Sequence, residues 1–351
     1  MRDQDTNRHD FGSPGFSLVE ILVAITLMAI MTVVVAPQLK YMINFQAGAD
    51  TQNRLSELQS GFSTAYLANI QQIESDANAE INFGTAGTLL PAIAAAGTRC
   101  TAAAANFIPW SQYTGHAASS LINDGYGAPL CIFINPQSSV PLNGVNLYYH
   151  TVAFVSTGPN NVLDSGTALD ALGNLTLSGD DTGLLFDGRA FSVANYNLTA
   201  GKMKIIAQAL EEYYLARYQS DPSRSSSIDY WSNDDWSNYT VADSASITRW
   251  DSTITPPATT PGNLIFYTSV ATPMYTEPTG QPSDLSVALS LSKDDVTDGY
   301  GNIISFENAS SIVRSPVNTD PNLAIPPYTA LLSTTLPGGV GYAQAVVGVN
   351  N

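Results

Sequence analysis

From Phe16 to Leu39 the chain is an almost unbroken apolar run, and Glu20 is the only ionisable side chain between Phe16 and Lys40. About 24 residues at ~1.5 Å each make a helix of ~36 Å, enough to cross a bilayer. Past Pro37 the spacing changes. Leu55, Leu58, Phe62, Tyr66, Ile70 and Ile73 recur at steps of three and four, while Arg54, Glu57, Gln59, Ser63, Gln71 and Glu74 occupy other faces. The pattern predicts one element from Phe16 into the late seventies, apolar in its first half and amphipathic in its second. Pro37 lacks an N–H and crowds the preceding turn, so a bend is expected there.

Beyond this element, short strands with turn punctuation take over. The Ala- and Gly-rich stretch from Phe83 to Ala105 reads as loop with room for one short helix. Asn123-Asp124-Gly125-Tyr126-Gly127-Ala128-Pro129 predicts a turn opening the apolar strand Leu130 to Ile134, because Asp bonds nearby N–H groups and Gly allows positive φ. A second helix is expected from Thr199, as its cap, to Tyr218, with Met203, Ile206, Leu210 and Tyr213 on one face and Asp221-Pro222 as the stop. Asp298-Gly299-Tyr300-Gly301, followed by Asn302 to Phe306, repeats the earlier turn and strand. The expected fold class is α+β: a long N-terminal α-helix carrying an antiparallel β-sheet head, either as two tandem heads or as one head with long insertions.

An unpaired charge in hydrocarbon costs at least ~2.5 kcal/mol, so Glu20 implies a proton or a cationic partner, which need not lie in this chain. The surrounding residues Gly15-Phe16-Ser17-Leu18-Val19-Glu20, after a short polar leader and before Pro37-Gln38, resemble the N-terminus of type IV pilins and type II secretion pseudopilins. The resemblance implies that a prepilin peptidase cuts after Gly15 and methylates the Phe16 amino group. It also implies that Glu20 neutralises a neighbouring subunit's N-terminus during assembly, with Pro37 shaping the helix. The implied partners are other pilin subunits, the peptidase, an inner-membrane assembly platform and the membrane. The implied location is a bacterial inner membrane, single-pass with the N-terminus inside, and then a periplasmic or cell-surface filament.

The same family often has an Asp-x-aromatic-Gly turn like that at Asp124, and a strand ending in Ser-x-Gly-Pro-Asp, which Val152 to Asn160 resembles. The stretch Ala209 to Tyr218 is similar to its head-proximal helix. The expected organisation is a leader over 1–15, a helix over 16–80 with 16–39 in the membrane, and a first pilin-like β head over 81–197. A second α+β head follows over 198–351, with an insertion over 223–283. The expected function is that of a structural subunit, whether pilin, minor pilin or pseudopilin. The alternative is a membrane-anchored surface adhesin that does not polymerise.

Cys100 and Cys131 are the only cysteines, and both follow the apolar run. The resemblance places them in an oxidising periplasm, where an isolated pair favours a disulfide worth roughly 3–4 kcal/mol. With a formal charge of −17 and only 12% charged residues, the chain offers no basic patch, so nucleic-acid binding by it alone is not expected. The polar loop after Gly158 holds Asn160, Asn161, Asp164, Asp170, Asp180 and Asp181, in a region where related pseudopilins bind calcium. Asp164, Asp180 and Asp181 are the candidate ligands, with solvated turn acids as the default alternative. Asp294, Asp295 and Asp298 form a weaker cluster.

The insertion interleaves acids with Trp231, Trp236 and Trp250, either as a sheet-packed hairpin or as an adhesive surface. No enzyme is expected. His116 and His150 lack a nucleophile motif, Ser290-Leu291-Ser292-Lys293 lacks its companion motifs, and there is no phosphate loop or zinc helix.

Overall fold

The computed structural model describes residues 17–83, 89–94, 99–220, 222, 224, 230, 272–276, 281–282, 286, 289–307 and 329–348. Gly15 and Phe16, the rest of the leader, and Trp231, Trp236 and Trp250 of the insertion lie outside the described residues.

One helix, α1, runs unbroken over Leu18–Ile73, 56 residues, with Pro37 inside it. Its two halves differ in packing. From Leu18 to Ile43 every residue is exposed, and its buried positions begin at Ala47. The periodic set Leu55, Leu58, Phe62, Tyr66, Ile70 and Ile73 is fully enclosed. Phe62 sits at the middle of this core, edge-on to Phe83, Trp110, Phe154 and Phe186 with centroids 4.9 to 6.4 Å away.

The first packed unit continues with β1 (Glu80–Asn82), β2 (Leu89–Pro91), α2 (Ala104–Ser111), α3 (Ala118–Leu121) and β3 (Cys131–Ile134). Then come the hairpin β4 (Ser138–Leu142) and β5 (Val145–Tyr149), β6 (Thr151–Ser156), the short hairpin β7 (Ala168–Leu169) and β8 (Leu175–Thr176), and β9 (Thr182–Asp187). An antiparallel sheet of order β3-β6-β9 lies against α1, and its central strand β6 is buried along its whole length.

A second unit begins one residue after β9 with α4 (Arg189–Ser220). It adds β10 (Thr272–Pro273), β11 (Tyr275–Thr276), β12 (Gln281–Pro282), β13 (Ser305–Glu307), β14 (Thr329–Leu336) and β15 (Val340–Val347). The antiparallel sheet β10-β13-β14-β15 encloses, with α4, a core that includes Met203, Ile206, Leu210, Ile304, Phe306, Leu332 and Val346. Tyr196, Tyr300 and Leu336 belong instead to the first core, so the two units share apolar packing.

One hydrogen-bond scheme occurs in both units. Asp124 Oδ1 accepts the N–H groups of Tyr126 and Ala128 at 2.9 Å, and its Oδ2 accepts the Ser156 hydroxyl at 2.5 Å. The Gly125 N–H donates to Thr51 Oγ1 at 3.0 Å, and the Tyr126 hydroxyl donates to the Asn44 carbonyl at 3.3 Å. In the second unit Asp298 Oδ1 accepts from Tyr300 and Asn302 at 2.8 Å, and Oδ2 accepts the Thr334 hydroxyl at 2.7 Å. There the Gly299 N–H donates to Thr199 Oγ1 at 2.9 Å, and the Tyr300 hydroxyl donates to the Ser192 carbonyl at 2.8 Å.

Arg54 and Lys202 donate to the equivalent carbonyls of Asn123 and Thr297, each at 2.7 Å. Both turns need glycine for contact, because a Cβ on Gly125 would strike the Ala47 carbonyl and one on Gly299 the Asn195 carbonyl. The sheet registers also correspond, Ile132 pairing with Phe154 as Phe306 pairs with Leu332.

Two readings of the sequence are corrected. Thr199 does not cap the second helix, which starts at Arg189; Thr199 lies inside it, and its hydroxyl donates to Asn195 O at 2.9 Å while accepting from Gly299. α4 thus runs across positions 197 and 198 without a break. The reason is packing: Ser192 donates to the Tyr148 carbonyl and Tyr196 enters the first core, which holds helical a stretch that carries Ser192, Asn195 and Asn197. Glu74, read as part of the polar face, is fully buried.

Candidate functional site

Ahead of Pro37, the polar side chains of the exposed half of α1 bond within the helix. Ser17 caps the helix, its Oγ accepting the Glu20 N–H at 3.2 Å while the Glu20 carboxylate accepts the Ser17 N–H at 3.0 Å. That places the only acid of the segment against the positive end of the helix dipole. Thr26 and Thr32 turn their hydroxyls back to the carbonyls of Leu22 and Met28, each at 2.7 Å. What the helix presents outward is therefore apolar, with Leu18, Val19, Leu22, Ile25, Met28 and Met31 among its exposed side chains. This is the one candidate membrane span among the described residues, by length and composition. Pro37 lies within the span, and Glu20 lies in its first turn.

Cys100 and Cys131 form a disulfide with a Cα–Cα distance of 5.2 Å. It ties the segment before α2 to the start of β3, and both sulfurs pack with Ala153, Val155 and Leu163.

The loop between β6 and β9 brings Asp164, Asp180 and Asp181 together, with a carboxylate oxygen from each within 4.8 Å of the others. Asp164 Oδ2 accepts the Asp180 N–H at 3.2 Å, and Asp181 Oδ2 accepts the Asp164 N–H at 2.9 Å and the Thr167 hydroxyl at 2.5 Å. Asp180 accepts from the Asn160 side chain at 2.6 Å. Asp181 is only 6% exposed, and its Oδ1 has no hydrogen-bond partner among the described residues, nor has Asn161 Oδ1. Burial pushes the Asp181 carboxyl up from its ordinary value, with neighbouring Asp164 and Asp180 adding in the same direction against the hydrogen bonds to its oxygen. The cluster offers several hard oxygens around one point, the donor set that calcium prefers.

Asp170 is not part of it. Asp170 instead closes the β7–β8 turn, accepting from Leu172, Asn174 and the Asn174 side chain, and those bonds hold its carboxyl below the usual range. Of the weaker cluster, Asp298 is committed to its turn, and Asp295 accepts from the Ser292 N–H and hydroxyl.

A buried constellation escaped the sequence reading. The Tyr66 hydroxyl donates to the Glu74 carboxylate, and both oxygens of that carboxylate lie 3.0 Å from His150 Nδ1. Tyr66, Glu74 and His150 are each 0% exposed. Burial and the adjacent Glu74 charge push the Tyr66 hydroxyl well above its ordinary value. Nothing local marks it, since the partners are separated by 76 positions. The second histidine, His116, makes an exposed pair with Glu57 at 3.2 Å.

No protein-family model, curated protein or solved structure matches the chain.

Proposed function

We propose that the chain is a structural subunit, a pilin, minor pilin or pseudopilin, of a type IV pilus or a type II secretion-like filament. The observation that carries this reading is the first half of α1. It is an uncovered apolar helix whose polar side chains ahead of Pro37 bond within the helix, bearing a single carboxylate shortly after the Gly15-Phe16 junction. An apolar rod of this kind is stable in lipid and equally stable against identical rods, so one segment serves membrane storage and filament core. Before assembly Glu20 is held by the Ser17 N–H; in the filament it takes the Phe16 amino group of a neighbour, a stronger charge-assisted partner. Peptidase cleavage after Gly15 exposes that amino group. The repeated turn, helix and strand scheme supports reading the rest as two pilin-like units in tandem, the second without an apolar extension of its own.

In the acidic loop, calcium held by Asp164, Asp180 and Asp181 would meet the unpartnered Asp181 oxygen and offset the repulsion among the three carboxylates.

Replacing Glu20→Ala is the test. The expected result is loss of the protein from sheared surface filaments while membrane insertion persists, and mass spectrometry of the parent protein should find it beginning at a methylated Phe16. Undiminished incorporation of the variant would sink the assembly role and favour a non-polymerising anchored adhesin.

A further inference from the structure

β9 ends at Asp187 and α4 begins at Arg189, so Gly188 is the single residue of chain between the last strand of the first unit and the first helix of the second. The Gly188 N–H donates to the His150 carbonyl at 3.0 Å, and the glycine packs so closely that a Cβ would meet both that carbonyl and the Tyr66 hydroxyl. One turn further on, the Ser192 hydroxyl donates to Tyr148 O at 2.7 Å and the Ser192 carbonyl accepts from Tyr300. Tyr66, Tyr148 and His150 thus form the part of the second unit's seat nearest Gly188, beside the shared packing of Tyr196, Tyr300 and Leu336.

The same His150 carries the buried ion pair. Its backbone N–H donates to Glu74 Oε1 at 2.9 Å, its Nδ1 faces both carboxylate oxygens at 3.0 Å, and its Nε2 faces the Asn78 carbonyl at 3.0 Å. A neutral imidazole has one N–H and one lone pair, so it cannot donate to acceptors on both sides; the doubly protonated ring can. Burial alone pushes the ring's pKa down, but the hydrogen bond and charge of Glu74, the Asn78 carbonyl and the Asp76 charge outweigh it and hold it above its ordinary value.

The groups facing the pair are Tyr66 from α1, Asp76 from the following loop, Gln137 from the segment before β4, whose amide donates to the Glu74 carbonyl at 2.5 Å, and Tyr300 from the second unit. Among the described residues no lysine or arginine pairs with Glu74.

We propose that the Glu74–His150 pair is a protonation-controlled latch on the joint between the two units. With the ring doubly protonated, one carboxylate ties the end of α1, the β5–β6 corner and Tyr66 into the block on which Gly188 and Ser192 rest. When the ring loses a proton, a nitrogen lone pair opposes either the carboxylate or the Asn78 carbonyl. A buried carboxylate is then left without its cation, the pair opens, and the second unit is released to move about Gly188.

The test uses the full chain in detergent micelles with spin labels at Thr64→Cys and Gln208→Cys, exposed positions on α1 and α4, in a His116→Gln background that removes the exposed histidine pair. Inter-label distances are measured by pulsed EPR from about pH 5.5 to about pH 9, while NMR follows the His150 ring, which brackets the ordinary imidazole value of roughly 6.5. The expected result is one narrow distribution at low pH that broadens together with loss of the His150 proton, at a midpoint above the ordinary value. A Glu74→Gln, His150→Gln double variant is expected to lose the pH dependence. A distribution unchanged to the top of the range, whether or not His150 titrates, overturns the latch, as does the same pH-dependent broadening in the double variant.

Discussion

Asp124 and Asp298 each use one carboxylate oxygen to hold two N–H groups ahead in the chain and the other to take a hydroxyl from the neighbouring strand. Removing either acid leaves three donors without an acceptor in a closed turn. Asp298→Ala is therefore expected to lower unfolding free energy by about 2–4 kcal/mol in denaturant titrations, with Asp124→Ala similar. Asp170→Ala, at an exposed hairpin, should cost clearly less than either by the same measurement. These aspartates were legible in the sequence because the N–H groups that donate to them lie two and four residues away. His150 was not, because its chemistry depends on Glu74 from another element. Its raised value means that its contribution to stability is fully present below roughly pH 6.5 and is lost as pH rises through the higher folded value. The thermal midpoint is expected to fall across that window, and Glu74→Gln should cost about 3–5 kcal/mol at neutral pH while flattening the dependence.

At the level of elements, α1 and α4 present the same three positions to their turns, Asn44, Ala47 and Thr51 matching Ser192, Asn195 and Thr199. The apolar period predicted the packed half of α1 correctly. It placed the start of α4 too late because Thr199 has the chemistry of a cap, whereas the helical state of 189–198 is supported by contacts with β5 and the first core. The disulfide binds an irregular segment to β3, closing a loop with a sequence separation of 31. Reduction should destabilise the first unit by roughly 3 kcal/mol and lower its thermal midpoint, read by calorimetry with and without reductant. The acidic loop is expected to respond to calcium: titration calorimetry should give saturable binding that Asp181→Asn weakens at least tenfold, and heat evolution unaffected by that change would count against the site.

For the whole molecule, the described cores draw on α1 only from Ala47 onward. Deleting residues 1–43 should leave both cores folded, with a thermal midpoint within about 2 °C of the full chain in calorimetry and no further need for detergent. A large fall would mean that the apolar half supports the head. The shared packing of Tyr196, Tyr300 and Leu336 couples the units, so their unfolding is expected as a single transition while the joint is closed.

The sequence by itself determined the apolar rod, its lone carboxylate, the amphipathic stretch behind it and the two Asp-Gly-Tyr-Gly turns. Each of these is written in periodicity or in contacts a few residues apart, where backbone geometry leaves few alternatives. The tertiary structure alone decided that Glu74 is inside, that His150 meets it, that one Asp181 oxygen beside two other acids has no partner among the described residues, and that Gly188 is pressed between Tyr66 and His150. Those facts join residues distant in sequence, whose burial and partners exist only once the sheets and helices have closed around them.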